Sequence, residues 1–241
     1  MLMVWQAYPG RKKFSNGVRL HLGCGKNYLE GYINIDLPQE KQELMKAKAD
    51  VYKDIRDLDY PENSVDEIRH HHLLEHFTRQ EAIKLLLQWR HWLKPGGLLV
   101  IETPDFEECL KLFLHSDLKT RFKIARHIFG SHESDWAIHR DFWTKDKFEF
   151  VLTKLGFEIV EIKQFNSVLG KIPKTSPLIK RIPSKKIRGI FADILPNILV
   201  KAKKLDKKID EKEEAREILS MSLVGSEKEI LDVWLKSVFS S

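Results

Sequence analysis

The feature that most constrains this chain is a repeated switch in apolar period, between two residues and 3.6, across its first two thirds. Val18, Leu20 and Leu22 alternate with Arg19 and His21, which predicts a half-buried strand. Tyr32 to Ile35 predicts a second strand that stops at Asp36, Asp50 to Lys53 a third, and Val65 to His71 a fourth. Leu98-Leu99-Val100-Ile101 is a continuous apolar run, as expected of a strand covered on both faces, and Phe157 to Ile162 gives another strand. Helical spacing lies between them. Thr78-Arg79-Gln80-Glu81 matches a capping box. Ala82, Leu86, Trp89 and Leu93 follow on one helix face, and Lys94-Pro95-Gly96-Gly97 ends that helix. Pro38 to Lys48, Asp105 to His115, Lys119 to Ile128, and a segment capped by Thr144 and stopped at Gly156 predict further helices. Strands alternating with helices pack as a mostly parallel sheet with helices on both faces, an α/β fold.

Charge divides the 241 residues differently. Residues 1–170 hold 25 basic and 25 acidic side chains, residues 171–208 hold 12 and 2, and residues 209–241 hold 4 and 8. After residue 168 the alternation ends. Pro173, Pro177 and Pro183 predict a connector. Residues 184–208 mix Ile187, Ile190, Phe191, Ile194, Leu195 and Ile198 with lysines, which predicts an amphipathic helix interrupted at Pro196. Ser226-Glu227-Lys228-Glu229 predicts a second capping box, opening a helix with Ile230, Val233, Trp234 and Val238 on its apolar face. The expected organisation is a cofactor-binding domain over 1–168 and a mainly helical extension, basic then acidic, over 169–241. No apolar run approaches the ~18–20 residues that span a bilayer, and Met1 to Lys13 lacks the apolar stretch of a secretory signal. Two cysteines, Cys24 and Cys109, build neither a disulfide framework nor a thiolate metal site, so a reducing, cytoplasmic setting is expected. Lysines interleaved with apolar residues over 171–208 would suit peripheral contact with an anionic membrane. With a single aromatic, Phe191, that stretch is a poor nucleic-acid surface.

The chemistry concentrates at predicted strand ends. Gly23-Cys24-Gly25 closes the first strand, and glycines there let a ligand approach the backbone. Asp36 closes the second, with Leu37 after it, and Asp54 closes the third. In an open parallel sheet, ligands sit at these carboxyl ends. A carboxylate at Asp36 can accept both hydroxyls of a ribose. One at Asp54 can accept the exocyclic amine of adenine while the Ile55 N–H meets a ring nitrogen. Together they describe an adenosine pocket. Dinucleotide binders use G-x-G-x-x-G opening a helix, whose terminal N–H groups hold the pyrophosphate. The third glycine is absent here, and ten residues between Gly25 and Asp36 leave little room for a helix plus a strand. A phosphate-free adenosine cofactor fits better, and S-adenosylmethionine is one.

In order and spacing, these segments resemble the class I S-adenosylmethionine-dependent methyltransferases over residues 19–163, in particular bacterial enzymes with a type-11-like methyltransferase domain. Leu20-His21-Leu22-Gly23-Cys24-Gly25 resembles the glycine motif, Ile33-Asn34-Ile35-Asp36 the ribose-binding strand end, and Asp54 to Asp66 the adenine segment and the approach to the fourth strand. Leu73-Leu74-Glu75-His76-Phe77 and Leu93 to Leu99 resemble the segments around the next helix. The resemblance implies a Rossmann-like fold and methyl transfer from S-adenosylmethionine. It assigns Gly23 and Gly25 to the methionine portion, Asp36 to ribose, Asp54 with Ile55 to adenine, and His71 to the border of the methionine end, with Cys24 and Leu37 also expected at the cofactor. It also implies a small-molecule or glycan acceptor, with cell-envelope glycan preferred. The segment after Gly25 is shorter than in many members, so the usual first helix is expected to be reduced or missing, and His21 places a polar group on a central strand.

His70, His71, His72 and His76 form a cluster, but on a strand His70 and His72 point one way and His71 the other, so they cannot all converge on one ion; no metal is expected, and His76 is expected to pack at a helix start beside Glu75. His71 or His72 is expected to face the active site. In the resembling enzymes the segment 129–143 lies over the active site. Within it His139, and separately Asp105 after the fifth strand, are candidates for a general base or acceptor contact. Two other readings compete: a non-catalytic binding protein that uses residues 171–241 to hold a partner or membrane, and a nicotinamide-dependent oxidoreductase, against which the missing glycine argues.

Overall fold

The computed structural model describes residues 17–38, 40, 46–166, 195–225 and 227–240. Its strands are β1 (Arg19–Leu22), β2 (Ile33–Asp36), β3 (Val51–Tyr52), β4 (Val65–His71), β5 (Leu93–Pro104), β6 (Phe157–Asn166) and β7 (Pro196–Lys204). Its α-helices are α1 (Arg79–Trp92), α2 (Phe106–Leu114), α3 (Leu118–Phe129), α4 (Lys145–Lys154), α5 (Glu211–Ser220) and α6 (Lys228–Phe239). The seven strands form one sheet in the order β3-β2-β1-β4-β5-β7-β6. Strands β1 to β5 pair in parallel, and β7 runs antiparallel to both β5 and β6. The strand order reverses between β1 and β4, which opens a cleft at their carboxyl ends.

Local chemistry explains the elements. Thr78 accepts from the Glu81 N–H while the Glu81 carboxylate accepts from the Thr78 N–H, the expected capping box at the start of α1. Trp89, Trp92 and Leu86 of α1 are fully buried in the apolar core beneath the sheet. Removing one such tryptophan side chain typically costs ~3–5 kcal/mol. Asp105, Asp117 and Thr144 cap α2, α3 and α4 by accepting from backbone N–H groups three residues on. His21, the polar residue on central β1, is 1% exposed. It meets Asn34 on β2 through Nδ1 at 3.0 Å and packs edge-on against Tyr32 and His71.

The end of the chain departs from expectation. The helix predicted over 184–208 is, in its described part, strand β7. Every second residue from Ile198 to Ala202 is buried, and Lys204 at its end is 7% exposed with its ammonium donating to Asn63 Oδ1 and the Leu93 carbonyl, each at 2.7 Å. Ile198, Val200 and Ala202 carry a period of two that the surrounding lysines disguised. The sheet therefore takes strands from both sides of residue 168, and the division expected there does not coincide with a structural boundary. These lysines belong to a sheet strand, so the predicted membrane-facing helix does not include them. Residues 171–194 lie outside the described residues, as do most of the predicted helix 38–48 and Ser226 of the second capping box. Helix α6 forms as expected but turns differently: Leu231, Leu235 and Val238 are buried, while Ile230 and Val233 are exposed. It packs on α1, with the Arg79 guanidinium 5.2 Å from the Trp234 ring centroid and the Lys84 ammonium 2.6 Å from the Ser240 carbonyl.

Candidate functional site

A cavity of about 580 Å³ opens at the carboxyl end of the sheet where the strand order reverses, within the size range of small-molecule sites. Its floor is built from strand ends. Gly23 and Gly25, after β1, adopt φ values of +59° and +53°, a region where side chains with a Cβ are strained. A Cβ on Gly23 would stand 2.8 Å from Leu73, so the glycine also lets the loop after β4 close over the first loop. From Gly23 to the start of β2 the chain makes turns and no helix, as the short spacing predicted. No helix terminus stands there to hold a pyrophosphate.

Asp36 is 9% exposed. Its carboxylate accepts from the Gly25 N–H at 2.6 Å and from the Leu37 N–H at 2.8 Å, tying the glycine bend to the end of β2. Asp54 caps a short 3₁₀ turn, Ile55–Asp57, and forms a forked pair with Arg56 at 2.7 and 3.0 Å. Arg56 also reaches Glu81 at 3.1 Å, which links this edge of the cavity to α1.

Of the eight residues expected at the cofactor, the cavity is lined by six: Gly23, Gly25, Asp36, Leu37, Asp54 and Ile55. Cys24 and His71 are not on its wall. Cys24 turns into the protein, where its thiol approaches the Lys48 carbonyl at 3.4 Å. Burial, and then the Asp36 charge, push its pKa up to about 12. His71 pairs with Glu102 of β5 at 2.9 Å, and the next residue, His72, takes the cavity position. His72 has φ +49°, a costly conformation for a side chain with a Cβ, and strain of this kind concentrates at functional sites.

The opposite wall is a histidine–carboxylate group. Burial lowers the His72 pKa, but hydrogen bonds to Glu102 and Glu75 outweigh it and raise the value to about 10, so the ring is an imidazolium at neutral pH. Burial raises the pKa of Glu75, and the His72 hydrogen bond at 3.1 Å, with nearby histidines, brings it down to about 2. His76 lines the cavity beside them.

The segment expected over the site does cover it. Ser134, Asp135, Trp136 and Arg140 line the cavity. Gly130 at φ +91° bridges to Ile138, and a Cβ there would lie 2.0 Å from the Ala137 carbonyl oxygen, so only glycine closes this loop. The Arg140 N–H donates to the Glu75 carbonyl at 2.7 Å and fastens the loop to the histidine wall.

Neither predicted proton acceptor reaches the cavity. His139 stands behind His76, with ring centroids 4.6 Å apart, and burial lowers its pKa to about 4. Asp105 is fully buried, caps α2 and accepts from the Gln164 amide at 2.6 Å. Sequence reasoning missed Arg56, Glu81 and Phe77 on the wall. Their one signal was proximity to the adenine segment and the capping box.

Comparison with known proteins shows what the chain is similar to. Residues 19–101 match the model of a family described as a methyltransferase domain. A chain of the complex between the Haloferax volcanii Trm112 methyltransferase activator and a methyltransferase is similar in fold, with TM-score 0.52 at 15% identity over 80% of this chain and 83% of that one. An S-adenosylmethionine-dependent methyltransferase from Archaeoglobus fulgidus aligns with TM-score 0.47 at 20% identity over 79% and 88%. One from Mesorhizobium loti aligns with TM-score 0.49 at 16% over 78% and 91%. No curated protein matches the sequence.

Proposed function

We propose that this chain, in which residues 19–101 match a methyltransferase-domain model, is a class I S-adenosylmethionine-dependent methyltransferase that holds its cofactor along the strand ends and methylates a small-molecule or glycan, envelope-related acceptor. The carrying observation is that Gly23, Gly25, Asp36, Asp54 and Ile55, from three successive strand ends, converge on one cavity at the switch point. In this reading the glycine bend passes the methionine portion, Asp36 and Leu37 hold the ribose, and Asp54 with the Ile55 N–H holds adenine. The sulfonium then lies toward His72 and His76.

The acceptor approaches past Trp136, Ser134, Asp135 and Arg140. An aromatic face beside hydroxyl, carboxylate and guanidinium groups suits a polyhydroxylated ring, which supports the glycan class. Bound S-adenosylmethionine would supply a methyl group activated by its sulfonium, the carbon–sulfur bond breaking as the acceptor's lone pair bonds to carbon and the electron pair staying on sulfur. Because the cofactor brings an activated methyl group, the protein's work is alignment, worth up to ~7–11 kcal/mol of barrier. The proton of a hydroxyl acceptor is released to water, because His72 on the histidine-lined wall is already an imidazolium. His139 supports that wall from behind, and Asp105 fixes α2; both are positioning residues.

Incubating the protein with methyl-labelled S-adenosylmethionine and fractionated host extract tests the reading. Label entering a saccharide-containing fraction is the expected result. Label entering only protein or nucleic acid would remove the acceptor class, and no binding of the cofactor or of S-adenosylhomocysteine would remove the activity.

A further inference from the structure

We propose that Glu75, His76 and His139 form a binding site for a divalent transition-metal cation of the zinc class at the edge of the cavity. Among the described residues, this is the set in which a ligand atom from each of three such side chains lies within 4.8 Å of the other two.

Three further observations point to an ion. First, Glu75 is 2% exposed; one carboxylate oxygen accepts from His72, and the other, Oε2, is buried with no hydrogen-bond partner. An unmatched buried carboxylate oxygen is costly and is a natural seat for a cation. Second, both imidazoles turn Nδ1 to a backbone carbonyl, His76 to Ile138 at 3.3 Å and His139 to Ile128 at 3.2 Å. A ring that donates from Nδ1 carries its lone pair on Nε2, and carbonyl-anchored rings of this kind are the usual metal-binding arrangement. Third, the ligands come from two segments already clipped together, because the Arg140 and Asp141 N–H groups both donate to the Glu75 carbonyl.

A tetrahedral ion about 2.1 Å from each donor spaces the donors about 3.4 Å apart. Starting within 4.8 Å, the side chains draw together by ~1.4 Å at most. Two imidazoles and a carboxylate suit zinc, cobalt or iron(II) rather than magnesium or calcium. Three protein ligands leave a coordination position open, and His76 is the ligand on the cavity wall. An acceptor hydroxyl bound at that position would be made more acidic. That role rests on the methyl-transfer reading above, whereas the site itself does not. The expectation of no metal covers His76 together with His70, His71 and His72; the proposed site keeps His76 alone of these and completes it with Glu75 and His139.

The test uses the full chain, stripped with a chelator and titrated with zinc by calorimetry and with cobalt(II) by visible absorption. One equivalent per chain, with absorption bands of a four- or five-coordinate cobalt ion, is the expected result. Glu75→Gln and His139→Gln should each weaken zinc binding at least tenfold while circular dichroism is unchanged. X-ray absorption at the zinc edge of the wild-type protein should show two imidazoles and a carboxylate, a readout that needs no variant to fold. Absence of stoichiometric binding, a coordination shell without two imidazoles, or full affinity in both folded variants would overturn the site. Titration with S-adenosylhomocysteine in parallel separates the two readings. Nucleoside binding without metal removes the metal site alone, and metal binding without nucleoside removes the methyl-transfer reading alone.

Discussion

Replacing Asp36 by alanine tests the cofactor site at its most connected point. The Asp36 carboxylate ties down Gly25 and Leu37 and is 9% exposed. In the proposed complex it also accepts two ribose hydroxyls. Hydrogen bonds to a charged group contribute about 1.5–3 kcal/mol each, so losing two weakens binding by about 3–6 kcal/mol. That is roughly a hundredfold to ten-thousandfold in dissociation constant, since each 1.4 kcal/mol is about tenfold. The same substitution leaves the Gly25 and Leu37 N–H groups without their acceptor, which costs stability of about 1–3 kcal/mol. A chain of this length loses ~2–4 °C of melting temperature per kcal/mol, so the variant remains folded at 20 °C and can be assayed. Calorimetric titration with S-adenosylhomocysteine is the assay, with near-ultraviolet circular dichroism confirming the fold. Asp54→Ala should weaken binding less, by about 1.5–3 kcal/mol or roughly tenfold to a hundredfold, because it contributes one bond to adenine and its other work is to hold Arg56. Affinity within threefold of wild type in folded Asp36→Ala would refute the reasoning.

Three further outcomes follow from the packing. His70 is fully buried against Trp89, neither ring nitrogen has a partner, and burial lowers its pKa from 6.5 to about 3. Below pH 6.5 the unfolded chain gains a proton that the folded chain refuses, so this residue costs stability as pH falls, about 2 kcal/mol by pH 5. Urea unfolding at pH 6.5 and 5.0 should show a smaller loss in His70→Leu, and an identical loss would contradict the assignment. Gly130→Ala should open the loop over the cavity, seen as faster hydrogen exchange at the Ser131 and His139 amides, which now donate to the Ala137 and Phe129 carbonyls; unchanged protection would show that the loop tolerates a side chain. Thr78→Ala removes the α1 cap and should lower stability by about 1 kcal/mol, read by chemical denaturation; no change would mean that tertiary packing alone sets that terminus.

Much of the site could be read from the sequence because it depends on local rules. A glycine bend after an alternating strand, and an acid at the end of each of the next two, are short-range patterns, and a parallel sheet brings strand ends to one edge whatever the intervening segments do. What the sequence hid was long-range. Strand β7 is split from β6 by 29 residues and surrounded by lysines, so its alternation of Ile198, Val200 and Ala202 reads as helix from sequence, although burial between β5 and β6 decides it. The choice of His72 over His71 rests on a positive φ that no spacing rule announces. Asp105 had the residue type of a base and the position of a helix cap, and the cap explains it. The contact between His139 and His76 crosses 63 positions of chain, beyond any local pattern.

The most direct test of the central claim is a crystal structure of the chain with S-adenosylhomocysteine. The account predicts ribose hydroxyls on the Asp36 carboxylate, the adenine amine at Asp54 with its ring nitrogen at the Ile55 N–H, and sulfur directed toward His72 and His76. A nucleoside bound elsewhere, or bound here with its ribose away from Asp36, would contradict it.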